Sequence, residues 1–342
     1  MPFIKIKSSS GPLDVHYTIS TPTCENAQGI DPSLPTLLFL HPVYVGHIVF
    51  HYQFANPNIR RFNLIGFDAR GHGETSGTVP PHFRRAEAAE DVFKFMEALC
   101  LPPCHLVGLS LGACVALQVA VSYPEKVLSL FMLSPLPLIE PEDVASGRQE
   151  IYDCWVAGLG IEPRDQDAIL DAVFGALQLG FNGSQSTMVT ALVQYTVPQG
   201  LKNWAPERFD EFHTVSVKFF TDRKPHPPSA LERVKCPVLL AHCGADIAYP
   251  MHYVEELRDL LQQSNVDVQI TTIHDASHFG CVTKPEEVNT KIHQWILENH
   301  KGSVPAAKRA VTSPFEGTLV KLGYKHNDAH TDSDSDDSLI IH

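Results

Sequence analysis

Five residues, Gly108-Leu109-Ser110-Leu111-Gly112, carry the most specific chemistry in the chain. A serine hydroxyl is a weak nucleophile until a base takes its proton and the backbone presents it to a substrate. The apolar run Cys104 to Leu109 predicts a buried strand, and a helical run from Leu111 to about Ser122 follows at once. A serine on so sharp a strand-to-helix turn has a strained backbone, and its neighbours must be small to let strand and helix approach. Gly108, Gly112 and Ala113 meet that demand. The hydroxyl is then presented at a helix N-terminus, where the Leu111 amide can stabilise an oxyanion.

Such a serine needs a histidine base, and the histidine needs an acid to orient it. Eighteen histidines are available, so position must select among them. On this turn the partners belong after strands at the same end of the sheet, in the order serine, acid, base. His278 opens a loop after an apolar run at 266–273 and before a last amphipathic helix. It fits better than His274, beside the strand end, or His242, inside a strand. Asp246 follows the run 237–242, and Asp222 and Asp275 are weaker rivals. The other natural place for the acid, after the strand that follows the serine's helix, holds Ser134 and Pro135, which cannot serve. A second oxyanion donor is expected from the loop after Thr36–Leu40. Pro42 has no amide hydrogen, so the donors are assigned to Val43 and Leu111. His41 reads as a residue that orders this loop.

The elements that must hold these groups follow from hydrophobic pattern. Phe3 to Lys7 and Leu13 to Ile19 alternate around a Ser-Gly-Pro turn, which predicts a hairpin. Thr36–Leu40, Asn63–Phe67, Cys104–Leu109 and Val127–Leu133 are continuous apolar runs, the pattern of strands covered on both faces. Helical spacing over Arg84 to Cys100 and after Ser110 separates them, which predicts a parallel sheet with crossover helices. The alternation stops at Ser134-Pro135. From there to about Lys235 the pattern is helical: 149–158, 166–179, 185–196 and 207–218. Strand character returns at 237–242, and helices are expected at 251–263 and 285–299. After Gly302 the chain turns polar and then acidic, which predicts disorder.

The 342 residues carry a formal net charge of −13, from 26 basic and 39 acidic side chains, so nucleic acid is not expected as a partner. The N-terminus lacks a signal-peptide core, and no apolar run approaches the roughly 20 residues of a membrane span. These features predict a soluble, cytoplasmic protein with no membrane span. Eight cysteines without a Cys-x-x-Cys spacing read as free thiols. No cofactor and no metal is expected. Oligomeric state is not legible.

Together these motifs resemble the α/β-hydrolase superfamily. The resemblance rests on the His41 loop, Asp68-x-Arg70-Gly71-His72-Gly73, Gly-x-Ser-x-Gly at 108–112, Gly244-x-Asp246 and the His278 loop. It spans Ile4 to about His300. Members commonly carry His-Gly where this chain has His41-Pro42. The resemblance implies a mostly parallel central sheet with helices on both faces and an inserted helical cap. The expected division is a core at 1–135 and 236–302, a cap at 136–235, and a disordered acidic tail at 303–342. His72 would then belong to a structural turn. Cap and rim side chains would shape the pocket, the candidates being Tyr44, Leu109, Trp155, Phe174, Tyr195 and Phe279, with Phe181, Met188 and Trp204 beside them.

The expected activity is hydrolysis of a small apolar carboxylic ester, lactone or thioester through an acyl-enzyme. Carbon–carbon bond hydrolysis, acyl transfer and perhydrolysis use the same triad and remain open, as does a non-catalytic member that binds a small ligand. Ser in place of Asp at the turn disfavours epoxide hydrolysis and haloalkane dehalogenation.

Overall fold

The computed structural model describes residues 2–326. Its sheet has eight strands: β1 (Phe3–Ser8), β2 (Gly11–Ser20), β3 (Thr36–Leu40), β4 (Asn63–Phe67), β5 (Cys104–Leu109), β6 (Val127–Leu133), β7 (Val238–Cys243) and β8 (Val268–Ile273). Their order is β1-β2-β4-β3-β5-β6-β7-β8. The β1–β2 hairpin and the β2–β4 pair are antiparallel, and every pair from β4 to β8 is parallel. The strands are those the apolar runs predict, with β8 starting two residues later than expected.

Alternation along the central strands divides the core between two faces, because successive side chains point to opposite sides. Leu38, Leu40, Leu106, Met132 and Leu240 face the helices Arg85–Ala98, Leu111–Ser122 and Met251–Gln263. Leu37, Phe39, Val107, Phe131 and Leu239 face His51–Phe54 and Pro285–Asn299. A sheet wrapped on both faces explains why its strands read as unbroken apolar runs.

Between β6 and β7 the chain is helical, as expected. The longest helices are Glu142–Leu159, Gln166–Phe181 and Thr187–Asn203. Asp165 caps the second, accepting from the amides of Asp167 and Ala168 at 3.1 and 3.2 Å. The predicted helix at 207–218 is present as one unbroken helical run over 206–221, opening as a 3-10 turn and passing through a π-helical segment at Thr214–Lys218.

The C-terminal expectation needs correcting. Residues 313–324 lie inside the predicted disordered tail, yet Glu316–Lys321 is helical and Phe315 and Leu319 are wholly buried. Phe315 packs on Phe54 and His47 at ring separations of 5.2 and 5.3 Å. Arg60 Nη1 donates to the Thr312 carbonyl at 2.8 Å. The rest of the predicted tail, from 327 and including the acidic run 330–338, lies outside the described residues. Among the described residues all eight cysteines are free thiols, and no helix is long and apolar enough to cross a membrane.

Buried histidines tie stability to pH. Burial holds His51 and His105 down to about 4, and His72 and His226 down to about 3. Each stays neutral in the fold while the unfolded chain, titrating near 6.5, takes a proton. Their contribution is therefore intact above pH 6.5 and is lost as pH falls toward 4 and then 3. Each histidine removes up to about 1.4 kcal/mol per pH unit in that window. The melting temperature is expected to be level from pH 7 to 8 and to fall steeply between pH 6 and 4. A level profile down to pH 4.5, measured by calorimetry, would contradict the assignment of these four side chains as buried and neutral.

Candidate active site

The strand β5 ends directly at Ser110, and the helix Leu111–Ser122 begins one residue later. Ser110 has φ 55° and ψ −113°, a sparsely populated conformation for a side chain-bearing residue. Its amide is held by the Leu133 carbonyl at 3.0 Å. The flanking glycines are required by space. A Cβ on Gly108 would lie 2.5 Å from the Gly112 carbonyl oxygen, and one on Gly112 would lie 2.0 Å from the Leu40 carbonyl oxygen. Gly112 thus lets the helix N-terminus press against the end of β3, next to the loop bearing Val43.

The three residues selected from sequence meet in one chain of hydrogen bonds. His278 Nε2 is 2.8 Å from Ser110 Oγ, and His278 Nδ1 is 2.6 Å from Asp246 Oδ2. The carboxylate accepts from Nδ1–H, which leaves Nε2 free to accept the serine proton. Asp246 Oδ1 accepts from the amides of Ala248 and Tyr249 at 3.0 and 3.1 Å, so the acid is held from both sides. Ser110 and His278 are 1 % and 0 % exposed, which seals the pair from solvent in this conformation.

Neighbours that sequence reasoning passed over fix this geometry. Ser134 Oγ, rejected as an acid, donates to the His278 carbonyl at 2.6 Å. The end of the inserted helix Gln166–Phe181 docks on both loops of the site. The Gly180 carbonyl accepts from the Phe279 amide at 2.8 Å and from Ser277 Oγ at 3.0 Å, and Asn182 Nδ2 donates to the Ala245 carbonyl at 2.8 Å. The rival residues lie elsewhere. His274 is exposed and pairs with Glu287, Asp222 pairs with Arg84 at the surface, and His242 Nε2 meets the Tyr249 carbonyl.

His41 orders its loop, as expected. Its Nε2 accepts from the Ala69 amide at 2.8 Å, so the proton resides on Nδ1, which donates to the Pro42 carbonyl at 2.6 Å. Burial lowers the His41 pKa, which favours this neutral form. The Pro42 carbonyl and the Val43 amide belong to one trans peptide and point in opposite directions. Fixing the carbonyl therefore fixes where the Val43 N–H points. Proline in place of the more common glycine leaves that amide intact.

An apolar cavity lies beside these residues, lined by Tyr44, Ile151, Trp155, Phe181, Trp204 and Phe279 among others. Of the expected pocket side chains, Tyr44, Trp155 and Phe279 line this cavity. Phe174, Leu109 and Tyr195 do not line it. Phe174 is 47 % exposed, because Val173 and Leu177 take the inward face of its helix. Leu109 is wholly buried in the sheet core with Val107, two residues earlier on the same strand face. Tyr195 lies toward Asp68 and Glu74, and burial pushes its hydroxyl up to about 12.

His16, His47 and Asp68 present ligand atoms within 4.8 Å of one another, the one group among the described residues with metal-ligand character. Their contacts are hydrogen bonds. Asp68 takes His16 Nδ1 at 2.7 Å and His47 Nδ1 at 2.6 Å, and also accepts the amides of His47 and Glu74. Burial alone would raise its pKa, but the two histidines outweigh it and hold the carboxyl well below the usual range. Asp68 serves as a buried anchor for the loop beside β4.

A family model described as "alpha/beta hydrolase fold" matches residues 35–285. A protein named "Putative carbamate hydrolase RutD" from Serratia proteamaculans is 27 % identical over 243 residues, 69 % of this chain and 82 % of that protein. The match to its namesake from Variovorax paradoxus is 37 % identical but spans only 27 % of that protein's length. Among solved structures, an esterase from Thermogutta terrifontis is similar with a TM-score of 0.63 at 18 % identity, covering 88 % of this chain and 100 % of that one. A structure described as a putative aryl esterase from Burkholderia cenocepacia has a TM-score of 0.64 at 17 % identity, covering 87 % and 98 %. At such identities the likeness to solved structures is one of fold.

Proposed function

The chain belongs to the α/β-hydrolase fold family, and we propose that within it this protein is a serine hydrolase that cleaves a carboxylic ester, lactone or thioester. One observation carries the reading: the continuous hydrogen-bonded chain Ser110–His278–Asp246, with the serine on a strained turn at a helix N-terminus.

In this reaction Ser110 Oγ attacks the carbonyl carbon while His278 Nε2 takes the hydroxyl proton. Asp246 holds the imidazole in the required tautomer and stabilises its positive charge. The oxyanion of the tetrahedral intermediate is held by the Val43 and Leu111 amides, and each such donor is typically worth roughly 3–4 kcal/mol of barrier. His278 returns the proton to the departing alcohol or thiol, which leaves Ser110 acylated. Water then attacks the acyl-enzyme, His278 takes its proton and passes it to Ser110 Oγ, and the carboxylic acid leaves.

The inserted helices act as the cap. Their aromatic and aliphatic side chains would accept the apolar part of the substrate in the cavity beside Tyr44 and Phe279. Because Ser110 is sealed in this conformation, substrate access requires the cap to move, as lids do in many enzymes.

Acyl transfer, perhydrolysis, carbon–carbon cleavage and hydrolysis of a carbamate would use the same residues, and a substrate panel separates them. The expected result is turnover of p-nitrophenyl esters, with kcat/KM rising with acyl length until the apolar cavity is filled, or turnover in a parallel lactone series. Absence of turnover on every ester, thioester and lactone would contradict the proposal.

A further inference from the structure

Beneath the cap lies a buried ionic cluster with unequal charge. Glu140 accepts from Arg148 Nε at 2.7 Å, from Arg223 Nη2 at 2.9 Å and from the Tyr249 hydroxyl at 2.8 Å. Arg148 Nη2 also donates to that hydroxyl at 2.9 Å. The Arg148 and Arg223 side chains are only 1 % and 3 % exposed, and that of Glu140 is 1 % exposed. Two guanidinium groups thus share a single carboxylate. The further side of Arg223 faces a cavity with Arg85 and His226 and no acid in its lining, so nothing there restores the balance. A buried charge without a counter-ion is strongly unfavourable unless a partner arrives.

The imbalance shows at both guanidinium groups. Arg148 Nη1, Arg223 Nη1 and the Tyr44 hydroxyl are all buried without a well-formed hydrogen bond, and Arg148 lies within reach of the Tyr44 hydroxyl. Burial raises the Tyr44 pKa while Arg148, close by, pulls it back. Tyr44 follows Val43 directly, and its ring lines the apolar cavity. Ile151 and Trp155, three and seven residues beyond Arg148 and on the same helix face, line that cavity too. Tyr44 thus stands in the wall of an otherwise apolar chamber, with Arg148 behind it and outside the lining.

We propose that Tyr44 Oη and Arg148 Nη1 form a subsite for a carboxylate carried by the substrate, remote from the bond that is cleaved. The natural substrate is then an amphipathic half-ester or lactone acid: an apolar chain in the cavity and an anion at its end. This inference rests on the hydrolase reading for its chemistry, but the subsite can be measured without turnover. The carboxylate supplies the missing negative charge and accepts from the Tyr44 hydroxyl, with the Arg148 guanidinium behind it, a pairing strong enough to discriminate charged from neutral ligands.

The test uses Ser110→Ala protein as a non-turning-over receptor and calorimetry with monomethyl and dimethyl esters of the linear diacids from succinate to suberate. The monomethyl ester of at least one length should bind about tenfold tighter than its dimethyl counterpart, the range expected for one charge-assisted hydrogen bond. Tyr44→Phe in the same background should bring the ratio toward one. Arg148→Met strips Glu140 of a partner and endangers the fold, so Tyr44→Phe carries the decision. Equal binding of the two series overturns the subsite, as does a preference that Tyr44→Phe leaves intact. If wild-type protein hydrolyses dimethyl esters yet shows no preference, the subsite fails and the hydrolase reading stands. If the preference is present but no ester is turned over, the subsite stands and the hydrolase reading fails.

Discussion

Ser110→Ala is expected to lower kcat on any ester the protein cleaves by about 10⁶-fold, the scale of loss when a serine nucleophile is removed from such an array. KM should change little, because the substituted atom bears on the reaction and not on the cavity walls. The substitution removes one oxygen from a site already closed by Leu40, Leu133 and His278, so the melting temperature should stay within a few degrees. His278→Ala is expected to cost about as much as Ser110→Ala, and the double variant no more than either, because the two residues act as a unit. A loss of only tenfold in Ser110→Ala would place the nucleophile elsewhere.

The second large effect is on stability. Phe315→Ala removes a wholly buried ring packed between Phe54 and His47. Truncating such an aromatic typically costs 3–5 kcal/mol through lost burial and the cavity left behind. For a chain of this size the melting temperature should fall by roughly 5–10 °C. Cutting the chain after residue 302 should cost at least as much, since it also removes Leu319 and the carbonyl of Thr312 that takes the Arg60 guanidinium. A change below about 0.5 kcal/mol, the usual size for an exposed position, would mean that the segment does not pack.

The contrast between these two regions shows where sequence reasoning works. The serine turn was legible because its constraints are local: two glycines that a Cβ would drive into backbone atoms, set between a strand and a helix of opposite periodicity. Asp246 and His278 were legible because each follows a buried apolar run, which fixes the end of the sheet where it emerges. The C-terminal segment was not legible. Phe315, Leu319 and Tyr324 are three apolar anchors in a polar stretch, and their burial depends on a groove made by residues 51–54 and the inserted helices far earlier in the chain. The Glu140 cluster was hidden for a related reason. Arg148, on an amphipathic helix, reads as solvated, and its partner Tyr249 lies 101 positions away. Phe174 and Tyr195 lie away from the apolar cavity because an aromatic within a helical run can face either way, and composition does not set the rotation of a helix.

The proposed reaction requires Ser110 to be an activated nucleophile. The direct measurement is mass spectrometry of the intact protein and its peptides after brief exposure to a fluorophosphonate, which phosphonylates activated serines with loss of fluoride. One adduct per chain on the peptide bearing Ser110, lost in His278→Ala, is the predicted result. A protein that stays unmodified, or an adduct on another residue while Ser110 remains free, would contradict it.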